Sequence, residues 1–227
     1  KKQERTGDFM HIPKSDTNKI QIESFKKAVQ KSVEYSEDYD IEQWIYVPNH
    51  YDEYRYLLGT IGKKPLICVG INPSTAEPNQ LDPTLKSVER IAFANGFDSF
   101  LMFNVYAQRA TSPDHMEREL NQQLHQENMK AFEYILSRVE EGNPTVWAAW
   151  GTIIEKRDYL FSCLQEMLDI GEQFHTQWVS AGKLSKAGHP HHPLYLKKDT
   201  QVEPFSIFDY LNKIKERSPS SRNEKKE

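Results

Sequence analysis

Two cysteines in 227 residues are too few for a disulfide framework or for a four-thiolate metal or iron–sulfur site. Cys68 sits in an apolar run and Cys163 in a helical pattern, so both are expected to be buried and inert rather than nucleophilic. Positive charge is not in excess either. Lys and Arg number 29 against 33 Asp and Glu, a net charge of -4, which argues against a broad basic surface for non-specific nucleic-acid binding. No apolar stretch approaches the roughly 18 residues of a membrane span, and the opening KKQERTGDFM has no apolar centre of the signal-peptide kind. Together these absences lead us to expect a cytoplasmic location and no membrane partner. GxGxxG after a strand, GxxxxGK[ST] and GxSxG are also missing, which removes the motif basis for dinucleotide, P-loop and hydrolase-elbow chemistry. No cofactor is implied.

What is present is a core-forming composition, 37% hydrophobic and 11% aromatic, enough for one domain. Composition assigns residues 1–19 to a polar N-terminal extension, 20–214 to a single α/β domain and 215–227, ending SPSSRNEKKE, to a disordered charged tail. Within the domain, apolar runs alternate with helical patterns. PLICVG (65–70), SFLMFNV (99–105), TVWAAWG (145–151) and the weaker HTQWVSAG (175–182) read as strands. Between the first two, Leu85, Val88, Ile91 and Ala92 share one helical face, with Asp82 as N-cap, Pro83 at the first turn and Gly96 as the stop. Strand and helix alternating four times predicts an α/β fold, a mainly parallel four-stranded sheet covered on both faces. The aromatic-rich WIYVPNHYDEYRYLLG, after a helical pattern over 22–33, is expected to pack on or pair with the sheet edge.

Ligands of open parallel sheets bind beyond the carboxyl ends of the strands. Four unusual stretches fall on that rim: Gly70, Ile71, Asn72, Pro73 and Ser74 after the first strand, Asn104 with Tyr106 after the second, Trp150 and Gly151 after the third, and HPHHPLY (189–195) after the fourth. Each also has a plainer reading. Gly, Asn, Pro and Ser are ordinary turn residues, Asn104 could satisfy backbone groups at a strand end, and Trp150 could simply pack. The histidines could be metal ligands, but Pro190 and Pro193 restrict the backbone and no Asp, Glu or Cys accompanies them at ligand spacing, so no metal site is assigned. Four such pieces on one rim favour a ligand site.

The order VGINPS, Asn, AWG and HPxxPL resembles the motif set of the uracil-DNA glycosylase superfamily, with GINP similar to the first motif of its mismatch-specific branch. RYLLG, GINPSTA, DPT, NVYAQRAT and AWG, over residues 44–196, are more similar still to the 1643 family of domains of unknown function. The glycosylase resemblance implies a three-layer α/β/α sandwich and hydrolysis of an N-glycosidic bond. Asn72 would orient the attacking water, His189 would stabilise the departing base, Asn104 would read a pyrimidine edge, and Leu194 would wedge into a duplex. His191 stands where the HPSPL motif of other branches has Ser, His192 is inserted, and the stacking aromatic is unassigned among Phe103, Tyr106 and Tyr195. Three functions follow: an N-glycosidase acting on a base in nucleic acid, an enzyme of another class on a free nucleoside, nucleotide or other small polar substrate, and a binding module without catalysis.

Overall fold

A computed structural model describes residues 9–217 and shows a mixed α/β architecture built on one seven-stranded sheet, in the order β1-β2-β4-β3-β5-β6-β7. The strands are β1 (Trp44–Val47), β2 (Leu57–Thr60), β3 (Pro65–Gly70), β4 (Ser99–Asn104), β5 (Thr145–Ala148), β6 (Gln177–Ala181) and β7 (Val202–Pro204). The four central strands β4, β3, β5 and β6 are mutually parallel and coincide with the four apolar runs of the sequence. The sheet is wider than those runs indicate. The aromatic segment folds into β1 and β2, which pair antiparallel and extend the edge through β4, and β7 adds an antiparallel strand beside β6.

β3 and β4 are buried at every residue, as expected of parallel strands covered on both faces. Alternation along β3 divides two cores. Ile67 and Val69 join the larger core under α1 (Phe25–Ser32), α3 (Gln122–Ser137), α4 (Tyr159–Gln173) and α5 (Ile207–Arg217), whereas Leu66 and Cys68 pack with Leu85, Val88 and Ile91 of α2 (Pro83–Ala94). Both cysteines are buried, and burial raises each thiol pKa. α2 begins and ends as its sequence specifies: Asp82 Oδ1 accepts the Leu85 N–H at 2.9 Å, Pro83 is the first helical residue, and Gly96 follows the helix at φ +77°.

At the ends of the chain, His11 and Thr17 are buried, so residues 9–19 contribute to the packed body. Lys215 to Arg217 belong to α5, and the tail expected beyond them, 218–227, lies outside the described residues. No helix among the described residues is long and apolar enough to cross a membrane. Because β3, β4, β5 and β6 run in parallel, their carboxyl ends all reach the same edge, which is where the candidate site forms.

Candidate functional site

The register of the sheet pairs Gly70 with Asn104, the last residues of β3 and β4. A Cβ on residue 70 would stand 3.1 Å from Asn104 Oδ1 and 2.8 Å from Met102 Cε, so a side chain there would crowd the carboxamide and displace the methionine tip. Asn104 is 1% exposed, yet neither its Oδ1 nor its Nδ2 has a hydrogen-bond partner. Its backbone carbonyl, by contrast, is held by Asn128 Nδ2 at 2.9 Å. Leaving a buried carboxamide unpaired costs about 1–3 kcal/mol per group, unless something binds there. Asn104 lines a cavity of about 400 Å³ together with Gly70, Asn72, Arg55, Asp82 and His192, a size suited to a small-molecule site.

The loop after β3 forms one wall. Its carbonyls turn into the protein: Gly70 O accepts from the Val105 N–H and Ile71 O from the Tyr106 N–H, both at 2.9 Å, while Pro73 O accepts the Ala110 N–H at 2.9 Å. Asn72 Nδ2 donates to Ala110 O at 2.7 Å and to Pro73 O at 3.1 Å, which fixes the amide and leaves Oδ1 as its free acceptor. Two buried arginines brace the loop from behind. Arg109 Nη1 donates to Ser74 O and to Ala76 O, and Arg55 Nη1 shares Ala76 O at 3.1 Å. Arg109 also donates to the Tyr46 hydroxyl at 2.9 Å and lies 4.1 Å from the centre of the Tyr51 ring. Among the described residues neither arginine forms an ion pair, and Nε of each is unpartnered. Burial, then the like charge of Arg109, pulls the Arg55 guanidinium down to about 9, against the opposing pull of Asp82; it remains a cation at neutral pH.

The second motif splits. His192 and Leu194 line the cavity; His189 and His191 do not. His192 Nδ1 accepts the Leu194 N–H at 3.2 Å, so its proton resides on Nε2. Burial lowers the His192 pKa, His191 adds to this and Asp82 opposes, which keeps the ring neutral near pH 7. His189 is 0% exposed and fully engaged: the Tyr210 hydroxyl accepts from Trp150 Nε1 at 3.0 Å and donates to His189 Nδ1 at 2.7 Å, and His189 Nε2–H donates to Glu155 Oε1 at 2.6 Å. That network ties α5 to the rim and does not bring His189 to Asn72. His191 is exposed, with Nδ1 donating to the His192 carbonyl at 2.6 Å. Among the described residues no group of three or more His, Cys, Asp or Glu converges as metal ligands would.

Of the remaining sequence candidates, Ile71, Pro73 and Ser74 line the cavity and Ser74 Oγ meets Thr111 Oγ1 at 2.9 Å. Gly151 is adjacent to it, at φ +60°, where a Cβ would meet His192 Cβ at 3.5 Å. Tyr106 is buried elsewhere, bonding Glu117 and accepting the Asn121 N–H at 3.1 Å. Phe103 packs on Phe132, and Tyr195 is 91% exposed, so none of the three proposed stacking rings reaches the cavity. Phe9 does, because the Thr111 N–H donates to His11 O and the His11 N–H to Thr111 Oγ1, pinning the N-terminal segment on the rim. Arg55, Asp82, Phe9 and His192 were not singled out as site residues by sequence. Asp82 reads as a helix cap, Arg55 as a polar residue between two tyrosines, and His192 as an insertion.

The model of the family described as protein of unknown function (DUF1643) matches residues 55–194, more than half of the chain, and this span holds every residue named above as lining the cavity except Phe9. No curated protein and no solved structure matches the chain.

Proposed function

The chain belongs to the DUF1643 family, and from that premise we propose that its cavity binds the base of a nucleoside or nucleotide and that the bound compound is hydrolysed at its N-glycosidic bond. The observation that carries this reading is Asn104. A buried carboxamide with one free acceptor and one free donor pairs with a ligand edge offering the reverse, as the imide or amide edge of a nucleobase does. The apolar lining from Ile71, Met102 and Leu85 suits the faces of a flat ring, and Phe9 stands at the same cavity.

The chemistry rests on the resemblance of GINP and HPHHPL to the uracil-DNA glycosylase motifs, with one reassignment. Water held by Asn72 Oδ1 attacks the anomeric carbon; the new C–O bond forms as the C–N bond breaks, and the electron pair leaves with the base. The proton lost by the water ends on the base or in solvent. An amide positions water without being an effective proton acceptor, so turnover is expected to be slow. His192 carries its proton on Nε2 and lines the cavity, so it suits the donor role toward the departing base that the resemblance gave to His189.

The test is release of free base from a panel of nucleosides, nucleotides and oligonucleotides bearing uracil, mismatched thymine or hydroxymethyluracil, alongside calorimetric binding. Base release that Asn72→Ala slows about 100-fold, with binding retained, supports the reading. Binding that depends on Asn104 with no release from any substrate converts the site to a binding module. Absence of both overturns it.

A further inference from the structure

In the loop over residues 72–75 two carbonyls are committed, while three amides have no protein acceptor among the described residues. Pro73 O and Ser74 O accept hydrogen bonds from the protein, yet among the described residues the N–H groups of Asn72, Ser74 and Thr75 donate to no protein acceptor. All three residues line the cavity. Backbone amides left without a protein acceptor beside a cavity carry positive partial charge, which favours an anion. α2 enters the same cavity by its first turn, with Pro83 and Thr84 among the lining residues and Asp82 Oδ1 already engaged as its cap.

A full charge stands beside these dipoles. Arg55 is 1% exposed and lines the cavity, with only Nη1 bonded, to Ala76 O, and Nε unpartnered. A guanidinium buried without a carboxylate is costly, and a bidentate oxyanion is the ligand that completes its donor fork. Among the described residues Asp82 is the one acidic side chain lining the cavity and opposes a second negative charge, which favours placing an anion toward Arg55 and the loop amides rather than at the helix cap. The carboxylate of Asp82 then remains as an acceptor for hydroxyl groups.

We propose that Arg55 and the open amides of residues 72–75 form a phosphate subsite, so that the ligand of the cavity is a phosphate ester, a nucleotide rather than a bare nucleoside. This deepens the nucleobase reading and rests on it for the identity of the ester, but the subsite itself stands on Arg55 and the loop. A free nucleotide and a nucleic-acid backbone supply the same phosphate chemistry.

Calorimetric titration at low salt decides it, with inorganic phosphate, the common nucleosides, their 5′-monophosphates and short oligonucleotides as the probes. For at least one base, the monophosphate is expected to bind about tenfold or more tighter than its nucleoside, and inorganic phosphate to displace it. Arg55→Gln is expected to close the gap, bringing the monophosphate to the affinity of its nucleoside in the same variant. Equal affinities in the wild type, or a gap that survives Arg55→Gln, overturns the subsite. If that variant does not fold, displacement on the wild type decides: monophosphate that inorganic phosphate cannot displace overturns it. Oligonucleotide binding with the same Arg55 dependence, without free monophosphate binding, upholds the subsite and assigns the phosphate to a polymer. Phosphate binding lost in Arg55→Gln but kept in Asn104→Leu, with no nucleoside binding anywhere, upholds the subsite while the base reading fails.

Discussion

His189 and Asn104 are both almost fully buried polar side chains at the carboxyl edge of the same parallel strands, and they differ in one respect. Both ring nitrogens of His189 are bonded, to Tyr210 and Glu155. Neither polar atom of the Asn104 carboxamide is bonded at all. The first arrangement is what a fold needs to join α5 to the β5 rim; the second leaves a donor and an acceptor for the ligand we propose. Burial is common to both, and their hydrogen bonds separate the side chain that is tied into the structure from the one left unpaired.

That contrast breaks if His189 proves catalytic. His189→Ala leaves Tyr210 and Glu155 without their partner and opens a cavity, and it is expected to cost about 3 kcal/mol of stability by chemical denaturation. The residual folded fraction should keep its ligand affinity. The converse outcome, normal stability with lost function, would reverse the assignment of the two regions. Next in size, Asn72→Ala is expected to slow base release about 100-fold, roughly 2.7 kcal/mol, with little change in ligand affinity, measured by steady-state kinetics against calorimetry.

Asn104→Leu sharpens the comparison from the other side. Replacing an unpaired buried carboxamide by an apolar group of similar shape is expected to leave the free protein as stable as before, or about 1 kcal/mol more stable, while weakening ligand binding about tenfold or more. A destabilised Asn104→Leu would mean that the carboxamide has a structural task. The smallest effect concerns pH. Burial lowers the pKa of His192 and of His11 from 6.5 in the folded state, so below about that pH the unfolded chain binds more protons. Stability should fall as pH drops through the region below 6.5 and level off above it. His50, raised by its hydrogen bond to Asp52, works in the opposite sense. Thermal midpoints across pH 5 to 8 check this, and His192→Gln should flatten the profile.

How far the sequence reaches can be followed along the chain. β3 and β4 are unbroken apolar runs because both of their faces are covered, and α2 carries its start and stop in Asp82, Pro83 and Gly96. The aromatic segment before Lys63 does pair at the sheet edge. β7 was not legible: Val202–Pro204 is three residues long, without alternation, and exists because it borders β6. At the site, Gly70, Asn72, Asn104 and Leu194 could be placed from the strand ends, whereas the divide between His189 and His192 depends on which way a short proline-bound loop turns. Arg55 and Arg109 were harder still. A lone charged residue in sequence reads as surface, and only the tertiary fold reveals that both guanidinia lie under the 70–76 loop and hold it by its carbonyls.

Both native thiols are sealed inside, Cys68 in β3 and Cys163 in α4, and the sequence has no other. Maleimide dyes therefore meet no reactive background on the folded chain. Met10 is half exposed and adjoins Phe9 at the cavity, so a Met10→Cys variant would carry a single fluorophore beside the mouth. Such a probe turns the search for the ligand into an optical screen: compounds that enter the cavity should change its emission, and no knowledge of the reaction is required to find them.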